Sequence, residues 1–147
     1  MFKNILVPTD GSKLSQKAVK EAIELAQQSG AKITALHVYP KFSGSPYGTF
    51  GPAEDVLEEA HKNQRRADGD SIFAAVRKLA DNAGITFESV LAESNDVWKQ
   101  IIATAKKKKC DLICMASHGR RGLSGVLLGS ETHKVLTHSE LPVLVLR

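Results

Sequence analysis

Apolar residues along the chain follow two rhythms. Short continuous runs sit within Ile5-Leu6-Val7, KITALHVYP, ITFESVLAE, DLICMAS and PVLVLR. They are bounded by turn residues and rich in β-branched side chains, which predicts five strands. ITFESVLAE mixes polar and apolar positions and reads as an edge strand; DLICMAS is apolar enough to be buried on both faces. Between the runs, apolar residues recur at steps of three and four. Leu14, Ala18, Ala22, Leu25 and Ala26 mark a first helix, with Ser12 as N-cap and Gly30 as stop. A long helical stretch runs from Pro52 to Asn82 and stops at Gly84, with a possible bend at Asp68-Gly69-Asp70. Val97, Trp98, Ile101, Ile102 and Ala105 form a third stripe, and Thr132 to His138 a short fourth helix. Lys41 to Gly51 reads as a loop.

Strictly alternating strands and helices predict an α/β fold: a mostly parallel five-stranded sheet with helices on both faces, in a single domain spanning 1–147. Such sheets take ligands at the carboxyl ends of the strands, where the winding direction reverses. If strands one and four are neighbours there, Asp10 faces the segment Met115–Leu136, MASHGRRGLSGVLLGSETHKVL. That segment concentrates four glycines, three serines and two adjacent arginines.

The totals narrow the classes. Of 147 residues, 42% are hydrophobic and 24% charged, enough to build a core and ordinary for a soluble chain. A net charge of +4, one Trp, two Tyr and five Phe fall short of a dedicated nucleic-acid binder. The densest basic run, Lys106 to Lys109, ends a predicted helix, where cations complement the dipole. No run approaches the roughly 18 apolar residues of a membrane span. The opening MFKNILVPTDGS is too short in its apolar core for a signal peptide. Cys110 and Cys114, on one predicted strand, would stand about 13 Å apart at ~3.3 Å per residue, too far to bridge. Together these features imply a cytoplasmic protein with free thiols.

The glycine-rich segment suits an anion. Phosphate is held by backbone N–H groups and a helix N-terminus, which requires small residues for close approach. Gly119, Gly122, Gly125, Gly129 and Ser130 meet that need, and Arg120 and Arg121 add charge. Neither G-x-x-x-x-G-K-[ST] nor G-x-G-x-x-G occurs. A loop that merely turns from strand to helix is the alternative. Asp10 likewise has two readings: a carboxylate for ribose hydroxyls or Mg²⁺, or a turn Asp bonding its own backbone. His118 is the one loop group with an obvious acid–base range, or else caps the loop by a hydrogen bond; His37 suits a core position, and His133 and His138 a solvated helix. No pair of groups forms a recognisable catalytic set, so enzymatic activity is expected to be weak or absent.

ILVPTDGS, ALHVYP, DLICMASHGRRGLSGVLLGS and LPVLVLR together resemble the universal stress protein family over nearly the whole length. The nucleotide-binding branch of that family carries G-x2-G-x9-G-[ST], matched here by Gly119, Gly129 and Ser130, with Ala116 at the first glycine. The resemblance implies a Rossmann-like, adenine-nucleotide alpha-hydrolase-like fold that binds ATP or a related adenine nucleotide with Mg²⁺. Pro8, Thr9 and Asp10 would border adenine and ribose, with Asp10 as the metal candidate. The Val38 backbone would read the adenine edge, and Met115 and Ala116 would lie near the ribose. His118, Gly119, Arg120, Gly129, Ser130, Glu131 and Thr132 would surround the phosphates. Alanine at position 116 is the smallest departure from glycine, but its Cβ would obstruct if the backbone there needs positive φ or very close phosphate contact. Glu131, where members usually carry an apolar residue, would either repel phosphates or help hold Mg²⁺. The resemblance also implies a homodimer paired through Val143–Leu146 and a stress-response or signalling role. A slow ATPase or phosphotransferase and a nucleotide-free dimeric adaptor are the alternatives. H-x-G-H, carried by related acid-activating folds, is absent.

Overall fold

The computed structural model describes residues 1–44, 46–48, 50–120, 122 and 128–147. Five parallel strands and four helices alternate: β1 (Asn4–Pro8), α1 (Lys13–Ser29), β2 (Lys32–Tyr39), α2 (Pro52–Asn82), β3 (Phe87–Glu93), α3 (Val97–Lys107), β4 (Leu112–Ala116), α4 (Ser130–His138) and β5 (Val143–Leu146). The strand order is β3-β2-β1-β4-β5. The ITFESVLAE strand is indeed an edge, and β1 lies against β4 with Ile5 opposite Leu112. The winding therefore reverses between β1 and β4. Arg121 and Gly125, which the glycine-rich reading includes, lie outside the described residues, as do Ser45 and Thr49 of the 41–51 loop.

Two apolar layers cover the sheet because strand side chains alternate between its faces. Ile5, Val7, Ile33, Ala35 and Cys114 meet α1 and α2 on one face. Leu6, Leu36, Ile113 and Met115 meet α3 and α4 on the other. The helix ends follow the expected chemistry. The Ser12 hydroxyl accepts the Ser15 N–H at 3.2 Å, and Gly30 ends α1 at φ 70°. Both cysteines are buried and free. Cys110 precedes β4 and does not share it with Cys114. Burial, with a smaller push from Glu21, raises the Cys114 thiol to about 12, so it is no nucleophile at neutral pH.

Asp68-Gly69-Asp70 does not interrupt the helix, which runs unbroken for 31 residues. Gly69 is there for packing: a Cβ would stand 2.8 Å from Leu91 Cδ1 of β3. Glycine thus lets α2 approach the edge strand. Replacing a mid-helix glycine by alanine ordinarily stabilises a protein by about 1 kcal/mol. Gly69→Ala is expected to show no such gain in urea unfolding, because the contact with Leu91 offsets it.

Candidate functional site

The carboxyl ends of β1, β2 and β4 open into a cavity of about 630 Å³. Its size falls in the range of small-molecule sites. Every described residue that the resemblance assigned to a ligand lines this cavity: Pro8, Thr9 and Asp10 after β1; Val38 on β2; Met115 and Ala116 on β4; His118, Gly119 and Arg120 beyond it; Gly129, Ser130, Glu131 and Thr132 entering α4. Sequence reasoning missed Ser15, Leu36, Pro40, Ser94, Asn95, Val97, Ile101 and, as a wall residue, His37. Ser94 and Asn95 had no motif to mark them; only the β3–α3 turn carries them to the rim.

Asp10 shows the geometry of the turn reading and adds a long-range contact. Its Oδ1 accepts the Ser12 N–H at 2.9 Å, the turn geometry expected of a short Asp. Its Oδ2 accepts the Arg120 N–H at 2.7 Å, which clips the β1 turn to the segment after β4. Burial by itself would raise this carboxyl. Hydrogen bonds from Ser12, the Arg120 N–H and Ser15 outweigh burial and hold it below its ordinary 3.8. Thr9 and Ser15 hydroxyls meet at 3.0 Å beneath it. Gly119 makes the clip possible, since a Cβ there would fall 2.6 Å from Asp10 Oδ2.

Gly129 acts by close approach. A Cβ would lie 3.1 Å from the Ser117 carbonyl and 3.2 Å from His118 Cα, both backbone atoms. The Gly129 N–H donates to Ser117 O at 2.6 Å, so this amide is engaged within the protein and is not left for a phosphate. No side chain caps α4. The N–H groups of Ser130, Glu131 and Thr132, the orphan donors of its first turn, have no partner among the described residues and sit at the cavity wall. The dipole of α4 adds partial positive charge at the same place.

Ala116 lies in extended β4, buried at 7% exposure, and its carbonyl accepts the Thr132 hydroxyl at 3.0 Å. Its φ is not positive, so the alanine sits in an unstrained backbone. Glu131 is diverted from the expected phosphate wall: Oε2 accepts the Trp98 N–H at 2.8 Å and Oε1 faces Lys134 at 3.4 Å. The carboxylate thereby caps the first turn of α3, which has no capping side chain of its own. The His118 Nδ1 is 3.2 Å from the Ser117 hydroxyl. His37 corrects the core reading: it is half-buried at the cavity wall, its Nδ1 2.9 Å from Thr9 O. His138 is more than solvated, its ring centroid lying 4.5 Å from that of Trp98.

β2 outruns β1 here. β1 pairs with β2 only as far as Pro8 opposite Leu36, whereas β2 pairs with β3 through Tyr39. One backbone edge of Val38 therefore faces the cavity with no strand beside it. Polar edge, apolar wall and a helix N-terminus line one crevice, a set of donors suited to a flat heterocycle joined to an anion.

The family model for the universal stress protein family matches residues 1–147. The chain belongs to that family. Universal stress protein MJ0531 of Methanocaldococcus jannaschii is 33% identical over 150 residues, covering 100% of this chain and 83% of the relative. Among solved structures, MJ0577 of the same organism, whose biochemical function was assigned from its structure, is 26% identical with a TM-score of 0.84, covering 99% of this chain and 96% of that one. A universal stress protein in complex with cAMP is 27% identical with a TM-score of 0.72, covering 99% and 97%. These solved structures share the Rossmann-like architecture of this chain. No described helix is long and apolar enough to cross a membrane.

Proposed function

We propose that this single-domain universal stress protein binds ATP or a related adenine nucleotide, and that occupancy of the cavity modulates its shape or partners in a cytoplasmic stress or signalling response. The observation that carries the reading is the first turn of α4. Three backbone N–H groups without a partner among the described residues belong to the wall of a cavity where a Cβ at Gly119 would fall 2.6 Å from Asp10 Oδ2 and one at Gly129 3.1 Å from the Ser117 carbonyl. The cAMP complex of a relative supports an adenine nucleotide as occupant. Adenine would lie along the open edge of Val38, and phosphates at Ser130–Thr132. The capping role of Glu131 keeps its negative charge engaged with Trp98 and Lys134.

Asp10 is the residue that would hold Mg²⁺ beside the phosphates, sharing oxygens that already accept the Ser12 and Arg120 N–H groups. Asp10 is ionised at neutral pH and stands at the wall, and Mg²⁺ ordinarily takes one or two carboxylates together with phosphate oxygens. The ion would supply charge neutralisation for the phosphates. A homodimer through β5 fits as well: Val143–Leu146 is the other sheet edge, uncharged, with Leu144 exposed.

Thermal-shift titration with Mg·ATP, ADP, AMP and GTP tests the reading. A ligand at 100 times its Kd adds roughly 2.7 kcal/mol of stability, about 5–10 °C in Tm for a chain of this size. A saturable rise favouring adenine over guanine is expected. No shift up to millimolar ATP, in protein free of co-purified nucleotide, would leave the nucleotide-free dimeric adaptor.

A further inference from the structure

Only the carboxyl-terminal half of α2 is anchored: its buried residues are Gly69, Phe73, Val76 and Ala80. The first half touches the body through one side, where His61 packs on Phe42 at 5.5 Å and approaches Pro40 O at 3.4 Å. On a side centred near Ala60, about 100° round the helix from His61, Ala53, Val56, Leu57, Ala60, Gln64 and Ala67 are all exposed. At 3.6 residues per turn they fall within about 60° of Ala60, a stripe about 21 Å long. Val56 is 68% exposed and Leu57 43%, and Phe50 just before the helix is 84% exposed. A helix face of this kind ordinarily meets another element.

Charge along the same segment is segregated about Ala60. Glu54, Asp55, Glu58 and Glu59 precede it; Lys62, Arg65 and Arg66 follow it. Among the described residues, Glu58–Lys62 (2.8 Å) and Arg65–Asp68 (3.5 Å) are the ion pairs of this segment, both at the surface. Asp55 and Arg66 have no ion pair within 4 Å among the described residues, and Glu59 reaches Lys62 only at longer range, as does Glu93 of β3. The Arg65 Nε is enclosed without a hydrogen-bond partner. A partner of one sign would match half of this surface and oppose the other half. An antiparallel copy of the same segment matches both halves, because reversal about Ala60 sets the acidic turns beside the basic ones. A parallel copy would set like against like.

We propose that the exposed face of α2 between Ala53 and Ala67 is a self-association surface, occupied by the same face of a second copy running antiparallel with its two-fold axis at Ala60. The interface is isologous, hence closed. Two 21 Å stripes make it smaller than a standard protein–protein interface, so association is weak and strongest at low salt. It is separate from the β5 edge and does not depend on nucleotide. Used together, the two surfaces would join dimers into larger assemblies.

Cysteine cross-linking on the full chain tests the axis. Ala60→Cys would face its own copy, whereas Lys20→Cys, exposed on α1, serves as control; the native cysteines are buried. Under mild oxidation Ala60→Cys should form disulfide-linked dimer at least about tenfold faster than the control at equal concentration. Equal rates would overturn the axis. Sedimentation tests the charge logic independently. A variant carrying Glu54→Lys, Asp55→Lys and Glu59→Lys, mixed with one carrying Lys62→Glu, Arg65→Glu and Arg66→Glu, should associate across the two variants where each alone does not. The double variant Val56→Glu/Leu57→Glu, at exposed positions, should keep its circular dichroism spectrum and lose the concentration-dependent rise in mass. An unchanged sedimentation profile in that variant would assign all assembly to other surfaces and sink the proposal.

Discussion

Gly129→Val is expected to weaken binding of Mg·ATP about 100-fold, which corresponds to roughly 2.8 kcal/mol at 1.4 kcal/mol per decade. A Cβ at this position meets backbone on two sides, Ser117 O at 3.1 Å and His118 Cα at 3.2 Å. Neither contact has a flexible end that can turn away. The start of α4 must therefore shift from the end of β4. That shift moves the N–H groups of Ser130, Glu131 and Thr132 together, and strains the 2.6 Å bond from Gly129 N–H to Ser117 O. Overpacking of this sort costs about 1–3 kcal/mol of stability, so Tm should also fall by several degrees. Isothermal titration at a temperature where both proteins are folded separates the two effects. Affinity within threefold of the parent would mean that the first turn of α4 does not hold the phosphates.

Asp10→Asn should cost about 1–3 kcal/mol of stability and at least tenfold in nucleotide affinity. Both carboxylate oxygens accept backbone N–H groups, from Ser12 and from Arg120. The amide retains one acceptor and presents a donor to the other N–H, so one of the two bonds is replaced by a repulsive contact. The folded-state carboxyl titrates below its ordinary 3.8. Its stabilising contribution is therefore complete above the ordinary value and is lost as pH falls through the depressed folded value. The stability gap between parent and variant should be constant near neutrality and should close in acid. A gap that persists unchanged into strong acid would show that the carboxylate charge is irrelevant to the clip. Comparing ATP affinity with and without Mg²⁺ then separates two roles. A loss confined to the Mg²⁺-containing titration assigns Asp10 to the ion; an equal loss in both assigns it to the loop.

The alternation of strands and helices was readable along the chain because its causes are local. Val, Ile and Leu in short runs favour extended backbone buried in a sheet, and helical spacing gives α1 and α3 one apolar face each. Ser12 and Gly30 mark the ends of α1 by chemistry that acts within a few residues. The glycine pattern around Gly119 and Gly129 likewise marked a place of close backbone approach. Gly69 was misleading for the same reason it is informative now. A helical glycine can mark a bend or a close neighbour, and its neighbour, Leu91, lies on a strand whose position the local sequence does not encode.

What required the tertiary structure was the pairing of groups far apart in the chain. The Asp10 carboxylate and the Arg120 N–H, 110 positions apart, meet only because β1 and β4 are adjacent at the reversal of the sheet. Glu131 was legible as a carboxylate beside an anion site, but the bond that diverts it comes from Trp98, on a helix that packs beside α4 on the same face of the sheet. His37 joined the wall because β2 extends past β1, a matter of register. Residue types and their spacing thus determined the elements and the kind of chemistry available. Long-range contact determined which carboxylate clips the loop, which caps a helix, and which amides are left for a ligand, because a hydrogen bond depends on distances that only the packed chain sets.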